Sequence, residues 1–268
     1  MDLTEMNRNE SMLAVEQQRA EAEIKGQIAI AKKFPRDKLA AWERIKEDCA
    51  RYSLAEKATY RYPRGGQTVT GPSIRLAEML AKNYGNVSYG IRELSQQNGE
   101  SIVQTYCWDM ESNVRAERTF KVTHERHTRK GTTKLTDPRD IYELVANNGA
   151  RRLRACIQEI LPIGLQEDAV KECQQTLHKG LGSKSKTEII KEFMDEFKKF
   201  SVTKEMIETR LNHKIEDMNG NELVEYKEIL NSLKNKMSSR EDWFKVPELP
   251  TPTEESKNLT DKLLKKGK

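Results

Sequence analysis

The sequence lacks the features that would place the protein in a membrane or outside the cell. No apolar run approaches the roughly 18 residues that a membrane-spanning helix needs, and residues 1–10 are polar and mixed in charge, unlike a secretory leader. The four cysteines form no CxxC pair, so neither a disulfide framework nor a zinc site is expected. We therefore expect reduced thiols and a cytoplasmic protein that does not bind membranes.

Signatures of nucleotide hydrolysis and of metal catalysis are missing as well. No GxxxxGK[ST] phosphate loop occurs, and Gly180–Lys186 resembles one only superficially, so we interpret that segment as a linker. His124 and His127 could bind a metal with Asp109 or Glu111, but a third ligand at a suitable spacing is missing. Phosphate contacts are the simpler interpretation of the histidines. The sequence thus predicts no cofactor, no metal and no enzyme activity.

The chain begins with helical periodicity. Apolar residues recur at helical spacing over 11–34 and stop at Pro35, which predicts an N-terminal helix within residues 1–35 and a candidate contact between subunits. A second amphipathic helix follows. Residues 60–71 then predict a β-hairpin around a Gly-Gly turn, and 73–84 predict another helix.

Residues 87–123 change to a period of two, which is typical of β-strands. The dipeptide Asn98-Gly99 predicts a tight turn between the first two strands, and a third strand follows a turn at Asn113. A polar loop is expected over 124–136. Together these segments predict an antiparallel three-stranded meander.

A long helix follows the meander. Asp137 has the character of an N-cap and Pro138 that of a first helical residue, and the helix should stop before Pro162. Its predicted apolar stripe consists of Ala146, Ala150, Leu153, Ile157 and Ile160. The predicted fold class is α+β: a β-β-β-α core, in which the meander packs on the long helix, with flanking helices and a small C-terminal helical domain.

Positive charge is concentrated in one part of the 268-residue chain. The whole sequence carries a net charge of +5, with 33% charged residues. Residues 115–154 alone contain eleven basic and five acidic side chains, an excess of six. The rest of the chain is therefore close to neutral, and a basic surface is expected on the third strand, the loop and the long helix.

Helical geometry arranges part of this charge in a line. At 100° per residue, one stripe of the long helix contains Asn147, Arg151, Arg154 and Gln158, with Arg152 farther round. Closely spaced arginines repel one another unless an anion binds them, and guanidinium groups bind phosphate oxygens bidentately. The alternative is a solvated basic helix face without a ligand.

The order of elements resembles the core of the single-strand annealing superfamily. The resemblance is carried by the hairpin, the meander, the segments 71–78 and 135–140, and the long helix around Gly149-Ala150-Arg151-Arg152-Leu153-Arg154. That superfamily includes the phage recombinases RecT, Redβ and Erf and the eukaryotic mediator Rad-fifty-two. The resemblance covers about 36–165, and the loop 125–136 is longer and more basic than the family pattern.

The resemblance implies a function and a division of the chain. It implies ATP-independent binding and annealing of single-stranded DNA by an oligomeric ring or filament in phage-type recombination. Residues 36–179 would form the DNA-binding core and 187–244 a small helical domain that binds an exonuclease or a single-strand-binding protein. The Pro-, Thr-, Glu- and Ser-rich composition of 245–268 predicts a disordered tail. The charge pattern and the resemblance together nominate seven DNA-binding residues: Arg64, Arg75, Arg126, Lys130, Arg151, Arg152 and Arg154.

Two other functions compete with annealing. A passive single-strand-binding protein would use the same basic surface, whereas a metal-dependent nuclease would need a carboxylate cluster that the sequence does not show. Three tyrosines, Tyr60, Tyr62 and Tyr84, could stack on bases, although packing in the core or at an interface accounts for them equally well. We interpret Trp42 and Trp108 as core residues.

Overall fold

The computed structural model describes residues 3–65, 67–128, 131–181 and 185–245. The chain divides into two units. The first consists of Met1–Arg61 and Thr70–Ser183, and the second of Tyr62–Val69 and Lys184–Lys268. Lys130 and the expected disordered tail beyond residue 245 lie outside the described residues.

Helices open the first unit. Helix α1 spans Leu3–Lys33 and so begins before the predicted residue 11, although it ends ahead of Pro35 as expected. Helix α2, Lys38–Cys49, is capped by Asp37, whose carboxylate accepts hydrogen bonds from the backbone N–H groups of Leu39 and Ala40. The short α3 covers Tyr52–Ala55. The structure therefore confirms a proline-terminated N-terminal helix.

The predicted hairpin and the helix after it are both present. Strands β1, Thr59–Arg64, and β2, Gln67–Pro72, form a two-stranded sheet. Helix α4 spans Ile74–Tyr84, and the hydroxyl of Ser73 caps it by accepting from the backbone N–H of Leu76 at 3.2 Å. These elements were predictable from the sequence because turn and capping residues determine the structure of their immediate neighbours.

The meander is an antiparallel sheet in the order β3-β4-β5. Its strands are β3, Val87–Gln97, β4, Glu100–Asp109, and β5, Val114–Thr123. Asn98 and Gly99 adopt φ values of 56° and 76°, so the first turn has the left-handed backbone that this dipeptide favours. The fold is thus α+β with antiparallel sheets.

The expected polar loop over 124–136 contains a second small hairpin. Strand β6, Glu125–Thr128, pairs with β7, Gly131–Lys134, so the prediction of an irregular loop was wrong. The segment 131–134 contains two adjacent threonines, which are favourable in strands because they are β-branched. Its high charge obscured that preference.

Helix α5 spans Pro138–Ile160, with Asp137 as N-cap and Pro138 in the first turn, as predicted. It packs on the sheet, where Cys156 Sγ lies 3.7 Å from Thr105 Oγ1 of β4. The predicted apolar stripe was wrong at Ala146, Ala150 and Ile160, which are only half-buried. The residues that the helix buries are Ile141, Val145, Gly149, Leu153, Cys156 and Ile157.

Gly149 explains why the buried face of α5 differs from the predicted apolar stripe. A Cβ atom at this position would lie 2.8 Å from Ile91 Cδ1 of β3, closer than such atoms normally approach. The glycine therefore lets α5 approach the sheet along the line of Val145 and Gly149. The apolar pattern of the sequence does not show this contact, because glycine contributes no apolar side chain.

A buried ion network ties the start of α2 to one end of the sheet. The Arg36 side chain is 6% exposed, and its Nε donates to Glu111 Oε1 at 3.0 Å. Its Nη1 and Nη2 donate to the Asp109 carboxylate, and its guanidinium lies 3.9 Å from the centroid of the Tyr84 ring. This network joins three separate segments of the first unit.

Helix α6, Ile163–Leu181, completes the first unit and contacts α2 and α3. It includes Gly180 and Leu181, so the linker predicted over Gly180–Lys186 is shorter than expected, and 182–184 lie outside the described residues. Glycine near a helix end does not prevent helix formation; it lowers stability by about 1 kcal/mol relative to alanine.

The second unit contains helices α7, Lys186–Lys198, α8, Lys204–Leu211, and α9, Gly220–Lys234, with 3-10 turns at Ile215–Asp217 and Arg240–Asp242. Its core is aromatic: ring centroids of Phe193 and Phe197 lie 4.8 Å apart, and those of Phe197 and Phe244 5.8 Å apart. Such edge-to-face pairs stabilise a small core beyond the area that they bury.

Candidate nucleic-acid interface

Three arginines of the second half of α5 form the centre of the candidate site. Arg151 is exposed, whereas Arg152 and Arg154 are half-buried. The Arg152 guanidinium lies 4.0 Å from the centroid of the Phe120 ring on β5, and that of Arg154 lies 4.3 Å from the Tyr60 ring on β1. The aromatic rings thus hold these two side chains on different sides of the helix.

Arg152 makes only neutral hydrogen bonds in the described structure. Its Nη1 donates to the Asn148 carbonyl at 3.1 Å and to Asn148 Oδ1 at 3.3 Å. Burial lowers the pKa of Arg152, and the nearby charge of Arg151 lowers it further. An anion bound at this point would relieve that repulsion.

The members of the predicted stripe differ in accessibility. Asn147 and Arg151 are exposed, and Arg154 and Gln158 are half-buried along the same side of α5. The Asn147 side-chain amide donates to the Glu143 carbonyl at 2.7 Å. The surface therefore presents guanidinium and amide groups, the donors that phosphate oxygens accept from.

Arg126 lies near the other end of α5. Its guanidinium forms an ion pair with Asp140 at 3.4 Å, in which both side chains are about half exposed. At a rise of 1.5 Å per residue, Arg151 lies about 16 Å farther along the helix than Asp140. Arg126 is therefore at the edge of the α5 surface, and its charge is partly compensated.

Arg75 and Arg64 are on other elements of the fold than the three α5 arginines. Arg75 is exposed in the first turn of α4. Burial raises the pKa of the neighbouring Glu78, and the charge of Arg75 opposes that shift. Arg64 is exposed at the end of β1, in the segment Tyr62–Val69 that belongs to the second unit.

The basic residues of β5 contribute less positive charge to the candidate interface than their number suggests. Arg115 pairs with Glu117, and Arg118 Nη2 lies 3.0 Å from Glu159. Lys121 Nζ lies 2.8 Å from a carboxylate oxygen of Glu100. Acids on β5 itself, on α5 and on β4 therefore partly compensate the positive charge of this strand.

The histidine of the suggested metal or phosphate site has a structural role. His124 is 6% exposed, and its Nε2 lies 2.7 Å from Ser101 Oγ. The other candidate ligands, Asp109 and Glu111, accept hydrogen bonds from Arg36. Within the described ranges, no three His, Cys, Asp or Glu side chains come together as a metal site would require.

The aromatic candidates have different surroundings. Tyr60 is 7% exposed and Tyr84 lies against Arg36, so both pack within the protein. Trp108 is half-buried, on the sheet face opposite to Val103 and Cys107, so its assignment to the core was wrong. Both alternating sets of β4 residues contain apolar side chains, and the sequence could not show which set contacts α5.

Comparisons with known proteins assign no family. No protein-family model, no curated protein and no solved structure matches the chain. In the part of the chain that the structure describes, no helix combines the length and apolar character needed to cross a membrane. A functional assignment must therefore rest on the geometry of α5 and its neighbours.

Proposed function

We propose that this chain binds single-stranded DNA and anneals complementary strands without ATP, as an oligomer in phage-type homologous recombination. The supporting observation is the group Arg151, Arg152 and Arg154, three guanidinium groups within four residues of α5. Aromatic rings hold the side chains of Arg152 and Arg154, and the charge of Arg151 lowers the pKa of Arg152. The resemblance to single-strand annealing proteins agrees with this proposal.

Binding would follow from counterion release. Each phosphate that an arginine contacts releases a bound cation, and this gain is independent of base sequence. Guanidinium groups already oriented by Phe120 and Tyr60 lose less conformational entropy on binding than mobile side chains would. The surface would thus hold a phosphate backbone and leave base edges accessible.

Annealing would then need no hydrolysis. A strand held by its phosphates can test the bases of a second strand, and pairing and stacking supply the free energy, roughly 1.4 kcal/mol per base-pair step. No cofactor is required in this scheme. The same surface without strand exchange would make the chain a passive single-strand-binding protein, so the experiment must measure annealing itself.

Oligomerisation is part of the proposal because the surface of one subunit is short. From Asp140 to Arg154, α5 extends about 21 Å, so a long strand would continue over neighbouring subunits. Helix α1 offers a candidate contact, since Met12, Val15 and Ile30 are each about 60% exposed. Covering such side chains in an assembly would be favourable.

The helical segment 187–244 of the second unit is proposed to bind a protein partner. Between 185 and 245 the sequence has twelve basic and thirteen acidic side chains, so this part lacks the charge excess of the α5 region. An exonuclease or a single-strand-binding protein is the expected partner class. We place the protein in the cytoplasm, where such partners would act on DNA.

The test is annealing of complementary oligonucleotides, followed by fluorescence quenching. We expect annealing to persist in EDTA and without nucleotide, and to fall steeply when the protein is diluted below its assembly concentration. Strict dependence on ATP, cleavage that requires a divalent metal, or full activity of a monomer would contradict the proposal. Single-strand binding without any acceleration of annealing would indicate the passive alternative.

A further inference from the structure

The two faces of the three-stranded sheet are different. Val103, Thr105 and Cys107 of β4 are buried on the face that α5 covers. Gln104, Tyr106 and Trp108 alternate with them and are half-buried on the opposite face. This opposite face, formed around Tyr106 and Trp108, is called the aromatic face below.

Tyr106 leans across a glycine on the neighbouring strand. Gly90 is its partner in the β3–β4 register, and a Cβ atom there would lie 3.2 Å from both Cε1 and the hydroxyl of Tyr106. Glycine inside a strand weakens the sheet and often marks a place where another group approaches closely. Here the group is the tyrosine ring, which any larger residue at 90 would displace.

Two arginines flank the ring from the outer strands. The guanidinium groups of Arg92 on β3 and Arg115 on β5 lie 4.8 Å and 5.3 Å from the Tyr106 centroid. Arg115 is paired with Glu117, whereas Arg92 is exposed and has no acidic side chain within ion-pair distance among the described residues. The face therefore combines an aromatic ring with an uncompensated positive charge.

Trp108 extends the aromatic face along β4. Its indole N–H donates to Asn113 Oδ1 at 3.1 Å, which fixes the ring beside the turn between β4 and β5. Tyr106 and Trp108 lie two residues apart on the same strand, so their rings occupy neighbouring places on one surface. A row of fixed rings next to guanidinium groups is the arrangement on which successive bases of a single strand stack.

We propose that the aromatic face is a second single-stranded nucleic-acid site, which holds bases by stacking. This inference rests on the proposed DNA function and adds a site on the side of the sheet opposite to α5. The α5 arginines would contact phosphates, whereas Tyr106 and Trp108 would contact bases and Arg92 an adjacent phosphate. Because the sheet separates the two surfaces, one nucleotide cannot contact both within a subunit.

The two sites can be distinguished by whether binding depends on the presence of bases. The probes are a fluorescent oligothymidylate and an abasic oligonucleotide of the same length, measured by anisotropy with the full chain. Tyr106→Leu removes the ring but keeps an apolar side chain, and Tyr106→Phe is the matched control that keeps the ring. Arg92→Ala is a second variant, since it tests the face without changing a packed residue.

Tyr106→Leu should weaken oligothymidylate binding about fivefold or more, within the range known for base–aromatic stacking. Binding of the abasic probe should stay unchanged, and Tyr106→Phe should behave as the wild type on both probes. Arg92→Ala should weaken oligothymidylate binding about twofold to fivefold and lower its salt dependence. Arg151→Ala with Arg152→Ala should instead weaken the binding of both probes equally.

Other results would overturn the inference. Wild-type affinity for oligothymidylate in both Tyr106→Leu and Arg92→Ala would remove this site and leave the α5 proposal standing. Equal losses on both probes would show that the face contacts no bases. Unchanged binding with a lower oligomer mass for Tyr106→Leu would assign the face to a contact between copies. A wild-type chain that binds neither probe would contradict the proposed function itself.

Discussion

The two units of the chain arrange their charged side chains differently. In the second unit, basic groups lie next to acids: Lys204 Nζ is 2.7 Å from Glu216, Arg210 Nη2 is 2.9 Å from Glu225, and Lys234 Nζ is 2.7 Å from Glu196. These contacts link helices within the unit. Its charges therefore mainly compensate one another.

Arg152 of α5 is arranged differently. Arg152 contacts the Phe120 ring and the Asn148 amide, and its neighbour along the helix is another arginine. Charge composition shows a basic excess over 115–154 and none over 185–245, but it does not show which cations lie next to an acid. What distinguishes Arg152 from the paired cations of the second unit is that no acidic side chain among the described residues lies within ion-pair distance of it, and only the structure shows that.

The first unit also contains the buried ion network of Arg36, which gives the largest expected effect. Arg36→Ala would leave Asp109 and Glu111 without their main counter-charge in a place where their side chains are only 11% and 21% exposed. We expect the free energy of unfolding to fall by about 3 kcal/mol, near the lower end for broken buried pairs. Chemical denaturation at neutral pH measures this loss.

The matched control is an exposed pair in the same unit. Lys171 and Asp168 are more than half exposed at 3.2 Å, so Lys171→Ala should change the free energy of unfolding by less than about 0.5 kcal/mol. Equal effects of the two substitutions would contradict the distinction between buried and exposed charges in this unit.

The Arg36 network also predicts an acid-sensitive stability. Burial alone would raise the pKa of Asp109, but hydrogen bonds from Arg36 and Ser112 outweigh it and hold the pKa below the ordinary value. A lowered carboxyl pKa stabilises the fold above the unfolded-state pKa, near 4. That stabilisation is lost as the pH falls through the folded-state pKa, and Arg36→Ala should remove much of this dependence.

Removal of two α5 arginines tests the comparison directly. Arg151→Ala with Arg152→Ala should weaken single-stranded DNA binding about tenfold or more and lower the salt slope by about 1.4, two single-strand phosphate contacts. The control, Lys191→Ala with Lys214→Ala, removes two exposed charges from the second unit and should leave affinity nearly unchanged. Circular dichroism would verify the fold of both variants.

A result in which both double variants lose affinity equally would show that net charge, and not the α5 arrangement, determines binding. Unchanged affinity of the α5 variant at moderate salt would exclude these arginines from the interface. In both cases the difference between the units would have no functional meaning.

Local signals explain which parts of the fold were predictable from the sequence. Asn98-Gly99 specifies a turn and Asp137-Pro138 a helix start, because each signal depends only on residues next to it in the sequence. The face of α5 that packs on the sheet was not predictable in detail, since it depends on Gly149 meeting Ile91 from a distant strand.

The candidate site was predictable only in part for the same reason. The sequence located Arg151, Arg152 and Arg154 on one helix, but the partners that determine their environment, Phe120 and Tyr60, lie on strands far away in the chain. The aromatic face was missed because one apolar residue, Trp108, was read as core. Alternation along β4 separates Tyr106 and Trp108 from Val103 and Cys107, but which of the two sets contacts α5 is determined by packing that the sequence does not show.

The smallest predicted effect concerns a titratable pair in the second unit. His213 Nε2 lies 2.9 Å from Glu222 Oε1, and this hydrogen bond, together with one to the Lys214 carbonyl, raises the pKa of His213 above its ordinary value. The hydrogen bond with His213 also lowers the pKa of Glu222. In the capping box of α9, the Glu222 carboxylate accepts a hydrogen bond from the backbone N–H of the N-cap residue Asn219. The pair is therefore most favourable when histidine is protonated and glutamate is ionised.

The sign of its pH dependence follows from these directions. A raised histidine pKa contributes stability that is complete below the unfolded-state pKa, about 6.5, and is lost as the pH rises through the folded-state pKa. We expect His213→Gln to lower the melting temperature slightly near pH 6, where the pair is charged, and to have no effect near pH 9. Thermal denaturation at both pH values measures the difference. A constant difference across this range would show that His213 acts through packing instead of charge.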